Sequence, residues 1–121
     1  MNTIYKTVIN EIGDLAGDMI DGNLIILYKT NAPAELAEIS VMHEAEFKKA
    51  EIEAGDILEI GNQQFEILAV GNVVNKNIEN LGHCSLKFNG EKEVELPGDI
   101  NLEQKEIPEI KIGLEIKIYK K

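Results

Sequence analysis

The apolar runs of this chain are short, and glycine or asparagine punctuates them at nearly every step. The longest, Leu24-Ile25-Ile26-Leu27-Tyr28, has the length of a strand and falls far short of the ~18 residues of a membrane span. Breaks at Gly13, Gly22-Asn23, Gly61-Asn62, Gly71, Gly82, Asn89-Gly90, Pro97-Gly98 and Gly113 leave room for many short strands and little else. The pattern predicts strands over 4–12, 24–29, 39–47, 56–60, 63–70, 83–88 and 91–96, with one or two more between 107 and 119. Asn89-Gly90, between two such runs, is the strongest hairpin signal, because both residues tolerate the positive φ of a tight hairpin turn. Short helices are expected at 30–38, capped by Thr30 or Asn31 with Pro33 in the first turn, and at 75–82, capped by Asn75 and stopped by Gly82. Residues 14–21 read as a loop or a weak helical turn, weakened by Gly17. The fold class that results is mainly all-β: a small barrel or sandwich of short, mostly antiparallel strands with one or two short helices. Residues 1–121 read as a single domain. Gly55-Asp56-Ile57 and Gly98-Asp99-Ile100 echo each other about 43 residues apart, which leaves an internal duplication open.

Charge narrows the partners. The chain holds 22 acidic and 12 basic residues, a net charge of −10. Phosphate backbones and anionic membranes are bound by clustered Lys and Arg, so neither nucleic acid nor direct membrane insertion is expected. Proteins with basic docking patches are. The N-terminal Met1-Asn2-Thr3-Ile4-Tyr5-Lys6 has no basic and apolar signal pattern, and the single Cys84 cannot form an internal disulfide; both suit the cytoplasm. Exposed edge strands favour a homodimer, while charged flanks such as Lys120-Lys121 oppose it.

Chemistry rests on two histidines, for no nucleophile elbow, phosphate-binding loop or dinucleotide fingerprint is present. His43 lies in Val41-Met42-His43-Glu44-Ala45-Glu46-Phe47. On a strand, Ile39, Val41, His43, Ala45 and Phe47 share one face, with Ser40, Met42, Glu44 and Glu46 on the other. Two readings stand. His43 is a hydrogen-bonded core or rim residue, or it is a nucleophile kept neutral by its apolar surroundings, with the nearby carboxylates turned aside. His83 shares a face with Ser85 and Lys87, either as a solvated strand residue or as a partner that orients His43 or donates to a phosphate. Cys84 faces inward with Leu86 and Phe88, so it does not pair with His83 as a nucleophile. His43-Glu44-Ala45-Glu46-Phe47 lacks the second histidine of a helical zinc motif, and no calcium-loop spacing occurs.

An ordered set of short motifs goes further. Tyr5 with Ile9 and Ile12-Gly13, Ala32-Pro33-Ala34-Glu35-Leu36, Met42-His43, Gly55-Asp56, Ala69-Val70-Gly71, Asn80-Leu81-Gly82-His83, Leu86-Lys87-Phe88-Asn89-Gly90 and Leu96-Pro97-Gly98 together resemble the glucitol/sorbitol-specific IIA component of the phosphoenolpyruvate-dependent sugar phosphotransferase system. The resemblance runs from the first strand to about Gly98. It implies a phosphocarrier in which His43, through Nε2, accepts a phosphoryl group from the histidine-containing phosphocarrier protein. The group then passes to a cysteine of the sugar-specific IIB component, which acts with the IIC membrane component. The family pattern also includes a histidine at His83, for which a supporting role is the expectation. No cofactor and no metal are required.

Physically, His43 Nδ1–H is expected to donate to a carbonyl or carboxylate and present Nε2 outward. Lys48 and Lys49 are the nearest cations in sequence, so the donor protein is expected to supply much of the positive charge. The alternatives are a non-catalytic β-barrel interaction or regulatory module and a small-molecule binding barrel.

Overall fold

The computed structural model describes residues 2–121. Eight strands close into one barrel in the order β1-β3-β2-β6-β7-β5-β4-β8. They are β1 (Asn2–Ile12), β2 (Leu24–Lys29), β3 (Val41–Lys48), β4 (Ile57–Ile60), β5 (Gln63–Val70), β6 (Cys84–Lys87), β7 (Asp99–Leu102) and β8 (Glu115–Lys120). Three helices join them: α1 (Ala16–Asp21), α2 (Ala34–Ala37) and α3 (Val74–Leu81). The barrel is thus the outcome of the two expected architectures, with one helix more than expected. Closure leaves no free sheet edge among the described residues, which removes the edge-strand argument for a homodimer.

The interior is aliphatic, as the shortage of aromatics requires. Ile4, Tyr5, Ile9, Ile25, Leu58, Ile60, Phe65, Ile67, Leu86, Phe88, Ile100, Leu102 and Ile116 are all buried in one cluster. Burial alternates along β4, β6 and β8, the mark of strands with one face in a core. A register shift between Thr3 and Tyr5, where β1 meets β8, breaks the alternation, so that Ile4 and Tyr5 are both buried.

The Asn89-Gly90 hairpin does not form. Asn89 Oδ1 accepts from the Glu91 amide and Asn89 Nδ2 donates to Asn101, while the Gly90 amide donates to the Leu102 carbonyl. These contacts turn the chain into a crossover rather than a returning strand. Residues 91–96 are irregular, and β6 runs parallel to β7. The strand β7, absent from the sequence expectation, takes that place in the barrel. Residues 107–112 also stay irregular, so the C-terminal region yields only β8.

Helix caps differ as well. Pro33, not Thr30 or Asn31, stands at the start of α2, where its carbonyl accepts from Leu36 and Ala37. Val73 precedes α3; Asn75 instead brackets the Ile52 peptide, accepting from its amide at 2.8 Å and donating to its carbonyl at 3.1 Å. Gly82 does end α3 in the left-handed region, at φ 60°.

The barrel is built twice over. Exchanging β1 with β5, β3 with β7, β2 with β6 and β8 with β4 maps the strand order onto itself. The hydrogen bonds repeat in register. Gly13 donates to Ser40, and Gly71 to Asp99; Ile9 donates to Leu114, and Ile67 to Asp56; Gly113 donates to Ile9, and Gly55 to Ile67. Positive φ angles recur in pairs: Asn23 65° with Gly82 60°, Asn31 67° with Gly90 69°, and Gly55 97° with Gly113 93°. The spacing within every such pair is 58 or 59 residues. The duplication left open by the sequence is therefore real in the fold, but its period is not 43. The Gly-Asp-Ile echo reflects a shared turn, in which Asp56 accepts from the Glu53 amide and Asp99 from the Leu96 amide.

Candidate functional site

His43 belongs to β3 and sits opposite Ile9 of β1, on the face that lines the core. It is 1% exposed, as are Val41 and Ile9. Two residues further on, Ala45 is exposed, so His43 is the last side chain of this face before the barrel opens. It forms part of the wall of a surface depression of about 380 Å³, lined also by Lys29, Thr30, Glu44, Ala45, Ile78, Glu79, Asn80 and Gly82.

Both ring nitrogens are engaged. Nδ1 lies 2.5 Å from Thr7 Oγ1, and Nε2 lies 2.7 Å from the Gly82 carbonyl. A carbonyl only accepts, so Nε2 carries the proton; Nδ1 of the neutral ring then accepts from the Thr7 hydroxyl. This reverses the expected arrangement. The carbonyl that fixes the ring is on Nε2, the Nε2 atom is not turned freely outward, and a hydroxyl rather than a carbonyl or carboxylate faces Nδ1. Gly82 reaches the ring because its left-handed turn ends α3 there; a Cβ at this position would lie 3.3 Å from Nε2.

Burial holds the His43 pKa below the ordinary histidine value, with the Gly82 carbonyl opposing in part. His43 is therefore neutral near pH 7, as a nucleophile requires. The sign of its coupling to stability follows. The unfolded chain takes up this proton near pH 6.5 and the folded chain only at lower pH, so stability is full above about 6.5 and falls as pH drops below it. Ring NMR titration of His43 should give a midpoint below about 6.5. A midpoint at or above that value would contradict the burial argument.

The carboxylates and cations are arranged differently from expectation. Glu46 is turned to Lys6, at 3.2 Å. Glu44, though on the opposite strand face, lines the depression, where it accepts from Thr30 at 3.4 Å. Lys48 is tied to Glu51 and Glu79, and Lys49 lies over the Phe47 ring. Neither lines the depression; the lysine that does is Lys29, paired with His43 across the parallel β2–β3 ladder.

His83 is half-buried next to Gly82. Its Nδ1 donates to the Leu27 carbonyl at 3.0 Å, and its ring packs against Tyr28 at a centroid distance of 5.1 Å. It does not line the depression, and no hydrogen bond joins it to His43 among the described residues. The two histidines are linked through the backbone, since the Gly82 carbonyl that holds His43 is that of the residue before His83. Cys84 faces inward as expected and is fully buried, and burial pushes its thiol up to about 12.

Sequence reasoning missed Thr7, Lys29 and Gly82 as neighbours of His43. Thr7 and Gly82 are 36 and 39 residues away, and only the barrel closes those distances. The burial of a lone hydroxyl between Tyr5 and Ile9 on one strand face was the one available signal for Thr7.

Known proteins resemble this chain over most of its length. The sequence model of the family described as "PTS system glucitol/sorbitol-specific IIA component" matches residues 4–117. The chain is 33% identical, over 84% of its length and 83% of theirs, to the glucitol/sorbitol-specific EIIA components of Shigella flexneri and Escherichia coli (strain K12). A crystal structure of a PTS system IIA component from Enterococcus faecalis V583 superposes with a TM-score of 0.81 at 26% identity, covering 94% of this chain and 98% of that one. A match over nearly the whole barrel, at this identity, makes the chain a member of the glucitol/sorbitol-specific IIA component family of the phosphotransferase system and a link in its phosphoryl relay.

Proposed function

We propose that His43 is the residue that carries the phosphoryl group, on Nε2, and that His83 supports it from the neighbouring turn. The observation that carries this reading is a neutral, almost fully buried imidazole in the wall of an open depression, with Nε2 on the side of the lining residue Gly82. Nδ1 faces the fully buried Thr7, so a phosphoryl group has no room there. The donor is the phosphorylated histidine-containing phosphocarrier protein and the acceptor is the IIB component, acting with IIC in glucitol or sorbitol uptake. The work is done in the cytoplasm by residues 1–121 as one domain.

Once Nε2 has released its proton and its contact with the Gly82 carbonyl, its lone pair attacks phosphorus in line, and the donor imidazole leaves with the electron pair of the broken N–P bond. Exposed Lys29 at the rim supplies one cation; with a net charge of −10, the donor surface supplies the rest and is drawn in by it. The test is to incubate the chain with phosphoenolpyruvate, enzyme I and the histidine-containing phosphocarrier protein, then follow intact mass. Wild type should gain one acid-labile, base-stable phosphoryl group, and His43→Ala none. Labelling of His43→Ala to the wild-type level would overturn the assignment.

A further inference from the structure

The proton on His43 is on the wrong nitrogen for phosphoryl transfer. With Nε2–H donating to Gly82, the atom that must bond phosphorus has no free lone pair. The ring must exchange this proton with solvent and take one up at Nδ1, and whatever faces Nδ1 must tolerate both states. A carbonyl or carboxylate there accepts only; a lysine donates only. A hydroxyl does both.

The duplicated barrel supplies an internal comparison. Ile9 pairs with His43 as Ile67 pairs with Leu102, and Thr7 pairs with Ile116 as Phe65 pairs with Leu58. Leu102 and Phe65 are thus the counterparts of His43 and Thr7 in the other half. All four side chains are almost completely buried. The half with no histidine fills both places with apolar groups; the half with His43 carries a hydroxyl at the second place. Thr7 is therefore not what this barrel position needs for packing, and its polarity goes with the imidazole.

We propose that Thr7 is the positioning residue that lets His43 change tautomer: its hydroxyl donates to Nδ1 in the resting ring and accepts from Nδ1–H when Nε2 holds the phosphoryl group. The inference rests on His43 as the acceptor. The exchange balances. One proton leaves Nε2 and one arrives at Nδ1, the Gly82 contact is released, and the Nε2 lone pair forms the N–P bond while the donor ring keeps the pair of the bond that breaks. The phosphorylated ring is then an imidazolium with Nδ1–H on Thr7 Oγ1. That form is the better leaving group for the next transfer.

The experiment combines transfer rates with ring NMR of nitrogen-15-histidine-labelled chain. In wild type the resting His43 should be the Nε2–H tautomer, changing to Nε2-phosphoryl, Nδ1–H after incubation with the phosphorylated carrier. Thr7→Val should keep a folded spectrum, slow phosphoryl transfer by about tenfold or more, and lower the midpoint at which the phosphorylated ring loses Nδ1–H. Thr7→Ser should restore both. Should Thr7→Val not fold, Thr7→Ser against Thr7→Ala makes the same comparison, since both lack the methyl and only one keeps the hydroxyl. An unchanged rate and midpoint without the hydroxyl would overturn the inference, as would a resting Nδ1–H tautomer in wild type. Failure of the His43 assignment looks different: the His43 nitrogen signals would then not move on phosphorylation of wild type.

Discussion

Gly71→Ala should melt far below wild type, by roughly 10 °C or more in a calorimetric scan. A Cβ on Gly71 would fall 2.0 Å from the Pro97 carbonyl oxygen and 2.4 Å from its carbon. These are backbone atoms, in the crossover that leads into β7, and the Gly71 amide is itself bonded to Asp99 at 2.8 Å. Relief requires moving a strand of a closed barrel, where every strand is held on both sides. Gly13→Ala should behave alike, because its Cβ would meet the Ala37 and Glu38 carbonyls at 2.1 and 2.4 Å, and β3 with His43 begins directly after them. Gly17→Ala is the control. Its Cβ would meet nothing within 4 Å, and alanine is the better residue in helix α1, so stability should hold or rise slightly. A Gly71→Ala variant melting within a few degrees of wild type would show that the crossover yields.

Lys87→Met is expected to cost about 3 kcal/mol. Lys87 Nζ lies 2.8 Å from the carboxylate of Asp99, whose side chain is 1% exposed. Without the lysine, that carboxylate keeps only the Leu96 amide, at 3.1 Å, as a partner. An unpaired buried charge costs far more than the pair was worth, because water cannot replace the lost cation. Denaturant unfolding of Lys87→Met, Asp99→Asn and the double variant measures the coupling. The double variant should be more stable than Lys87→Met alone. Purely additive losses would mean that the pair does not act as a pair.

How much of this was legible follows from where each determinant lies. The segments that became β1 to β5 read correctly because their apolar residues alternate, or in β2 form a strand-length run, and their turns are marked by Gly13, Gly22-Asn23, Gly61-Asn62 and Gly71. The strand β7 did not, because Asp99-Ile100-Asn101-Leu102 puts polar residues where a core strand is buried on all four positions. Asp99 is made tolerable by Lys87, and Asn101 donates to the Glu93 carbonyl. Both partners lie outside β7 itself. Asn89-Gly90 misled for a related reason: it turns the chain as such a pair does, but which strand comes next is decided by who pairs with β6, and that is β7, in parallel. The duplication escaped because it lives in hydrogen bonds and φ angles. Identities at the 58–59 residue spacing, such as Ile9 with Ile67, Gly13 with Gly71, Ile20 with Ile78, Leu27 with Leu86, Gly55 with Gly113 and Ile60 with Ile118, are scattered and form no motif.

Most of the strand content, the acidic surface, the family resemblance and the histidine proposed as the phosphoryl carrier could be read from the chain alone. These depend on local periodicity, on composition and on an ordered set of motifs, all of which are properties of the chain before it folds. It took the folded barrel to show that the sheet closes, that it closes as two like halves, and that His43 meets Thr7 on one nitrogen and Gly82 on the other. A barrel brings together residues 36 and 39 positions apart in sequence, and the proton of an imidazole goes where such neighbours can accept it.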